Sequence, residues 1–151
     1  MARQPLLPTS AGPAPQRFVT VAVRRGRPHA EILNPAPMPY LKIQTNLPIG
    51  KKSRQTILRN ASALVALELE KPEELVMVAL QDNTTMLFAG SDDPVAFLEL
   101  KSVGLPGRKT KRLSQALCSL IEDHLGITKD RVYVKFIDVN RGMWGWKGDT
   151  L

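Results

Sequence analysis

The sequence has one cysteine, Cys118, two histidines, His29 and His124, and an aromatic share of only 5% in 151 residues. A single thiol excludes an internal disulfide framework and a cysteine-based zinc cluster. No apolar run approaches the ~18 residues of a membrane-spanning helix. No Gly-rich phosphate loop, metal-ligand spacing or Ser/His/Asp arrangement can be assembled, since His29 lies far from the rest and His124 ends a helical pattern beside Glu122-Asp123. The length fits one domain with a tail and excludes a multidomain enzyme. What is present is a 43% hydrophobic share, enough for a packed core, and a formal net charge of +7.

Charge and proline are unevenly placed. Residues 1–38 hold Arg3, Arg17, Arg24, Arg25 and Arg27 against Glu31 alone, and seven of the twelve prolines. Proline at that density fixes φ and removes backbone donors, so neither helix nor central strand runs through most of it. The segment reads as an extension, with Phe18–Val23 its one strand-like stretch. It makes a poor signal peptide because Pro8 breaks Leu6-Leu7, and it resembles an organellar transit peptide only loosely. The foldable pattern starts at Met38-Pro39, which makes Met38 the expected initiator, and residues 39–151 the domain.

From there the texture changes. Tyr40–Asn46 alternates as a half-buried strand, with Leu41, Ile43 and Thr45 on one face. Ser53 is a candidate cap for a helix carrying Ile57, Leu58, Ala61, Leu64, Val65 and Leu69, stopped at Lys71-Pro72. Val76–Gln81 reads as a strand buried on both faces, and Met86–Ala89 as a short strand. The pattern then repeats: strand Val95–Lys101, a basic loop from Gly104 to Thr110, a helix through Leu113, Leu117, Leu120, Ile121 and Leu125 closed by Gly126, and strand Val132–Ile137. Val76-Met-Val-Ala-Leu-Gln-Asp82 aligns with Val132-Tyr-Val-Lys-Phe-Ile-Asp138, the mark of a duplication. Two βαβ units predict an α+β fold: one four-stranded sheet with both helices on one face. The uncovered face predicts oligomerisation, with a strand near Trp144-Gly145-Trp146 available to extend a neighbour's sheet.

Chemistry is sparse. Cys118 sits among core positions and reads as a small buried hydrophobe. Arg108-Lys-Thr-Lys-Arg112 reads as a solvated loop entering a helix, with an anion-binding rim as the sharper alternative. Without aromatic–basic interleaving, no nucleic-acid partner is expected. Met38-Pro39 is the informative pair. If Pro39 were the chain terminus it would be a secondary amine titrating near about 7.7–8.0 or lower, a general base at neutral pH. Inside a chain its nitrogen is an amide without basicity.

Met38-Pro39-Tyr-Leu-Lys-Ile-Gln-Thr-Asn46, Lys71-Pro72, Met86-Leu-Phe-Ala-Gly-Ser91, Lys101-Ser-Val-Gly104, Asp130–Asp138 and Gly145-Trp146 occur in the order of one known family. The sequence from 39 to 151 resembles the macrophage migration inhibitory factor and D-dopachrome tautomerase family. The resemblance implies a homotrimer with sites between subunits, acting without cofactor or metal on phenylpyruvate-like or dopachrome-like keto/enol acids. It implies that Pro39 is the base, that Lys71 neutralises the substrate carboxylate or carbonyl oxygen with help from the Val103 N–H, and that Tyr133, Trp144 and Trp146 wall the pocket, partly from the neighbouring subunit. Lys135 replaces a neutral amide of the animal proteins, adding a cation that would favour acidic substrates or lower the pKa of the base further. Leu75 and Leu151 replace aromatics, Val95-Ala-Phe-Leu98 replaces a Cys-x-x-Cys, and Tyr40 receives no role. The expected partner is a small carboxylate-bearing substrate, with no membrane association and a cytoplasmic location. The alternative is a non-catalytic trimeric signalling or binding protein on the same scaffold.

Overall fold

A computed structural model of the protein describes residues 38–151, so the expected extension up to residue 37, with its strand-like Phe18–Val23, lies outside the described residues. Strand β1 (Tyr40–Thr45) alternates as its sequence requires: Leu41, Ile43 and Thr45 are fully buried, and Tyr40, Lys42 and Gln44 are half-buried on the other face. Helix α1 (Lys51–Leu69) follows and leads to β2 (Met77–Gln81), which pairs parallel with β1. The second unit repeats the plan with β3 (Ala96–Val103), α2 (Thr110–Leu125) and β4 (Val132–Val139), β3 and β4 again parallel. An antiparallel β1–β3 pair joins the units into one mixed sheet of order β2-β1-β3-β4.

The core lies between that sheet and two helices that pack against each other on one face. Leu41, Ile43, Leu98 and Leu100 meet Ile57, Ala61 and Val65 of α1 and Leu113, Leu117 and Ile121 of α2. Both helices end in a left-handed residue, Glu70 (φ 57°) and Gly126 (φ 67°), which lets backbone N–H groups return to the last turn. The duplication is structural as well as sequential. Asp82, just past β2, accepts the Ile49 N–H at 2.8 Å, and Asp138 on β4 accepts the Leu105 N–H at 3.0 Å. Each carboxylate pins the loop that enters its unit's helix.

The Ile49 N–H, and after it the Arg54 guanidinium at 2.7 Å, holds the Asp82 carboxyl below the ordinary aspartate range. A folded-state value below the unfolded one stabilises the fold above about pH 4 and loses that contribution as pH falls through the folded value. Asp82→Asn is therefore expected to lower the urea midpoint more at pH 6 than at pH 3. An equal loss at both pH values would show that charge is not what Asp82 contributes.

Several elements differ from expectation. α1 starts at Lys51 behind Gly50, so Ser53 lies inside the first turn and does not cap it. Met86–Ala89 forms no strand; Phe88 and Ser91 exchange backbone hydrogen bonds of 3.0 Å around a tight turn in which Ala89 and Gly90 both have positive φ. β2 is an edge strand with Met77 66% exposed, not a strand buried on both faces, because β1 flanks it on one side only. The helix-free face of the sheet is mixed: Lys42, Gln44, Glu99, Lys101 and Lys135 lie on it among Tyr40, Met77, Phe97, Tyr133 and Ile137. β5 (Gly145–Trp146) pairs with β6 (Asp149–Thr150) of its own chain, because Lys147-Gly148, both at positive φ, closes a two-residue hairpin.

Candidate functional site

The entrance to β1 forms the base of the site. Pro39 is fully buried, and its carbonyl accepts the Met77 N–H at 2.9 Å, which ties the start of β1 to the start of β2. The link into β2 is a single turn of 3₁₀ helix, Glu73–Leu75, closed by Val76 N–H to Glu73 O at 2.9 Å. The tail folds back over both: Asn140 caps the turn Arg141–Met143, and the Leu151 N–H reaches the Trp144 carbonyl at 3.1 Å. These segments enclose a cleft of about 430 Å³ lined by Met38, Pro39, Tyr40, Glu74, Leu75, Val76, Met77, Trp144, Gly145 and Trp146. Lys147 stacks its ammonium 4.1 Å from the Trp146 ring centroid, steadying that indole at the cleft mouth.

The structure thus brings Pro39, Trp144 and Trp146 together. Lys71 follows the helix end, with its N–H bonded to the Ala66 carbonyl at 2.9 Å, and is half-buried without lining the cleft. Val103, the last residue of β3, is buried opposite Val139. Tyr133 and Lys135 lie elsewhere in the protomer. Tyr40 pairs with Lys101 and Tyr133 with Phe97, so Tyr133 sits four positions further along β3, about 13 Å at ~3.3 Å per residue. It packs edge-on against Phe88 at 5.0 Å and lines a second, smaller concavity with Thr84, Met86, Leu87 and Phe97. Lys135 is 3.6 Å from Glu99, which also binds Lys101 at 2.8 Å; first the Lys101 contact and then the charge of both lysines hold the Glu99 carboxyl low.

Leu75, read as standing in for a rim aromatic, does line the cleft, whereas Glu74, Val76, Met77 and Tyr40 are cleft residues that sequence reasoning did not place there. The available signal was strand pairing: residues just before β2 must lie beside those just before β1 once the two strands are parallel neighbours.

The other candidates are structural. Cys118 is buried and burial pushes its thiol pKa up, which suits a packing role. His124, in the last turn of α2, hydrogen-bonds Asn60 of α1 at 3.0 Å. The basic run is ordered by ion pairs, not loose: Lys109 reaches Glu70 at 3.1 Å and Arg112 reaches Glu68 at 2.7 Å, fastening α2 to the end of α1. Among the described residues no three His, Cys, Asp or Glu converge as metal ligands, and no helix is long and apolar enough to cross a membrane.

The family model for macrophage migration inhibitory factor matches residues 38–151, the stretch that builds this sheet and cleft. The chain belongs to the macrophage migration inhibitory factor family. A macrophage migration inhibitory factor homolog of Brugia malayi is 38% identical over 115 residues, covering 76% of this chain and 99% of that protein. The Mus musculus macrophage migration inhibitory factor is 32% identical over the same shares. Among solved structures, the macrophage migration inhibitory factor homologue from Prochlorococcus marinus superposes with a TM-score of 0.70 at 38% identity, covering 74% of this chain and 97% of that one. The mixed four-stranded sheet with two helices is therefore the fold of the macrophage migration inhibitory factor family.

Proposed function

We propose that the domain is a cofactor-independent keto–enol tautomerase for small phenylpyruvate-like or dopachrome-like acids, active when Pro39 is the chain terminus. The observation that carries this reading is the cleft itself, which sets Pro39 at its base between two tryptophans in a chain of this family. A terminal Pro39 nitrogen takes the proton α to the substrate carbonyl. The electron pair moves onto the carbonyl oxygen, where the Lys71 ammonium and the Val103 N–H stabilise it, and a proton is then returned to that oxygen. Trp144 and Trp146 hold the flat, conjugated part of the substrate.

A homotrimer fits the separation within one protomer. Tyr133 and Lys135 stand about 13 Å or less along the sheet from the Pro39 end and on another strand, so they join a Pro39 cleft only if a neighbouring subunit supplies them. The test is ketonisation of phenylpyruvate enol, followed by ultraviolet absorbance, with protein beginning at Pro39. Absence of turnover in that form removes the enzyme reading.

One observation favours a second reading for the chain as it stands. Pro39 nitrogen is bound in the Met38–Pro39 peptide, and Met38 is itself buried in the cleft wall. A scaffold with its base blocked in this way acts through surface contacts as a binding protein. No turnover in any form, with partner binding retained after Pro39→Gly, selects that reading.

A further inference from the structure

One carboxylate, Glu99, stands among the three lysines of the helix-free face, Lys42, Lys101 and Lys135. Its strand β3 is hydrogen-bonded to β1 on one side and to β4 on the other, and the register sets Glu99 beside Lys42 and Lys135. The two lysines it reaches are held differently. Lys101, two residues along the same strand, approaches to 2.8 Å, the length of a charge-assisted hydrogen bond. Lys135 stands at 3.6 Å, beyond hydrogen-bond length, so attraction of charge is what holds it there. Exposure follows the same division: the Glu99 side chain is 19% exposed and that of Lys101 35%, whereas Lys135 is 58% exposed. An exposed ion pair of this length contributes little and is readily exchanged. Glu99 and Lys101 therefore form a fixed pair, with Lys135 a cation parked beside it.

We propose that Glu99 is a positioning residue that acts through Lys135: it holds that ammonium in reserve, and a substrate carboxylate takes the ammonium over on binding. The proposal rests on the tautomerase reading, in which Lys135 comes from a neighbouring subunit to a cleft that takes acids. It deepens that reading by making recognition of the acid an exchange of counter-ions. With no acid bound, Glu99 offsets the Lys135 charge. When an acid arrives, the ammonium turns to it and Glu99 stays on Lys101, whose contact keeps the carboxylate satisfied. Lys101 is what makes the exchange possible, because a part-buried carboxylate left without any cation would resist losing Lys135. The site then distinguishes an acid from its ester, at a lower affinity for the acid than an uncommitted lysine would give.

The full 151-residue chain tests this directly, because its two tryptophans, Trp144 and Trp146, both line the cleft and report occupancy by fluorescence. Two unreactive probes, 3-phenylpropanoate and its methyl ester, are titrated at low and at high salt. Glu99→Gln keeps the size of the side chain and removes its charge. It is expected to tighten 3-phenylpropanoate about threefold at low salt and to leave the ester unchanged, with the gain shrinking at high salt. Lys135→Met is expected to weaken 3-phenylpropanoate about fivefold, and Glu99→Gln added to it to change nothing further, because the effect passes through Lys135. Glu99→Asp, which keeps the charge, is expected to retain the wild-type ratio of the two affinities. The proposal is overturned by no tightening in Glu99→Gln, an equal gain for the ester, a Glu99→Asp that behaves like Glu99→Gln, or quenching by neither probe. A gain that persists in the Lys135→Met background overturns it too, and moves the effect to Lys101 or Lys42. Turnover by the Pro39-terminal form is a separate measurement, so failure of the tautomerase reading and failure of the counter-ion exchange are told apart.

Discussion

Protein that begins at Pro39 is expected to exceed the 151-residue chain in phenylpyruvate kcat/KM by at least about 100-fold, the lower end of what a positioned general base contributes. The difference is chemical before it is structural. In the longer chain the Pro39 nitrogen shares its lone pair with the Met38 carbonyl and cannot accept a proton. Freed, it becomes a secondary amine at the base of a cleft whose remaining walls are largely apolar. Burial disfavours the ammonium form, so the amine titrates below its reference range of about 7.7–8.0. The base works only when neutral. Activity of the Pro39-terminal form is therefore expected to rise with pH through that lowered value and then level off, while any residual rate in the longer chain lacks this step. Comparable kcat/KM in the two forms, or a profile without the acidic limb, removes Pro39 from the mechanism. Pro39→Gly separates amine from ring: a terminal glycine retains a nitrogen base but loses the packing of the pyrrolidine.

The parts of the fold that were legible are those where burial imposes a period. Leu41, Ile43 and Thr45 alternate because one face of β1 meets the helices, and Leu113, Leu117 and Ile121 recur because one stripe of α2 meets the sheet. The aspartates at the ends of the two units were visible as a repeated residue, though their shared task of holding Ile49 and Leu105 was not. The misread segments lack such a period. The first turn of α1, Lys51-Lys52-Ser53-Arg54, is exposed, so no apolar residue marks its start before Ile57. Met86, Leu87 and Phe88 are apolar without being a strand because they line a concavity beside Tyr133. The tail hairpin was signalled only by Lys147-Gly148 before Asp149, a weaker turn signal than Asn-Gly.

The site was half legible for a related reason. Family motifs pointed to Pro39, Trp144 and Trp146, which the protomer does bring together, and to Tyr133 and Lys135, which it holds on β4 away from them. Linear motifs carry no information about which chain supplies a residue. Nor do they reveal Glu74, whose place follows from β2 lying parallel beside β1.

The largest stability loss from a single truncation is expected at the sheet's centre. Leu98 is fully exposed to neither solvent nor an edge: it lies on β3, between β1 and β4, with its side chain in the cluster formed with both helices. Leu98→Ala removes three carbons from a position that cannot collapse, because β3 is hydrogen-bonded on both sides and α1 and α2 brace each other above it. The expected cost is about 3–4 kcal/mol, in the range for fully buried leucines. Leu80 gives the contrast. It is half-buried on edge strand β2, where the backbone has a partner on one side only, and Leu80→Ala is expected to cost about 1–2 kcal/mol, a transfer contribution with little cavity. Urea denaturation of both variants, at two protein concentrations, separates the effects further. The Leu98 penalty arises from packing inside the chain and should not vary with dilution, whereas a Leu80 penalty that does vary would set edge strand β2 against a neighbouring subunit. Equal losses at the two positions would mean that β3 relaxes into the space, and that the sheet's centre is no more rigid than its edge.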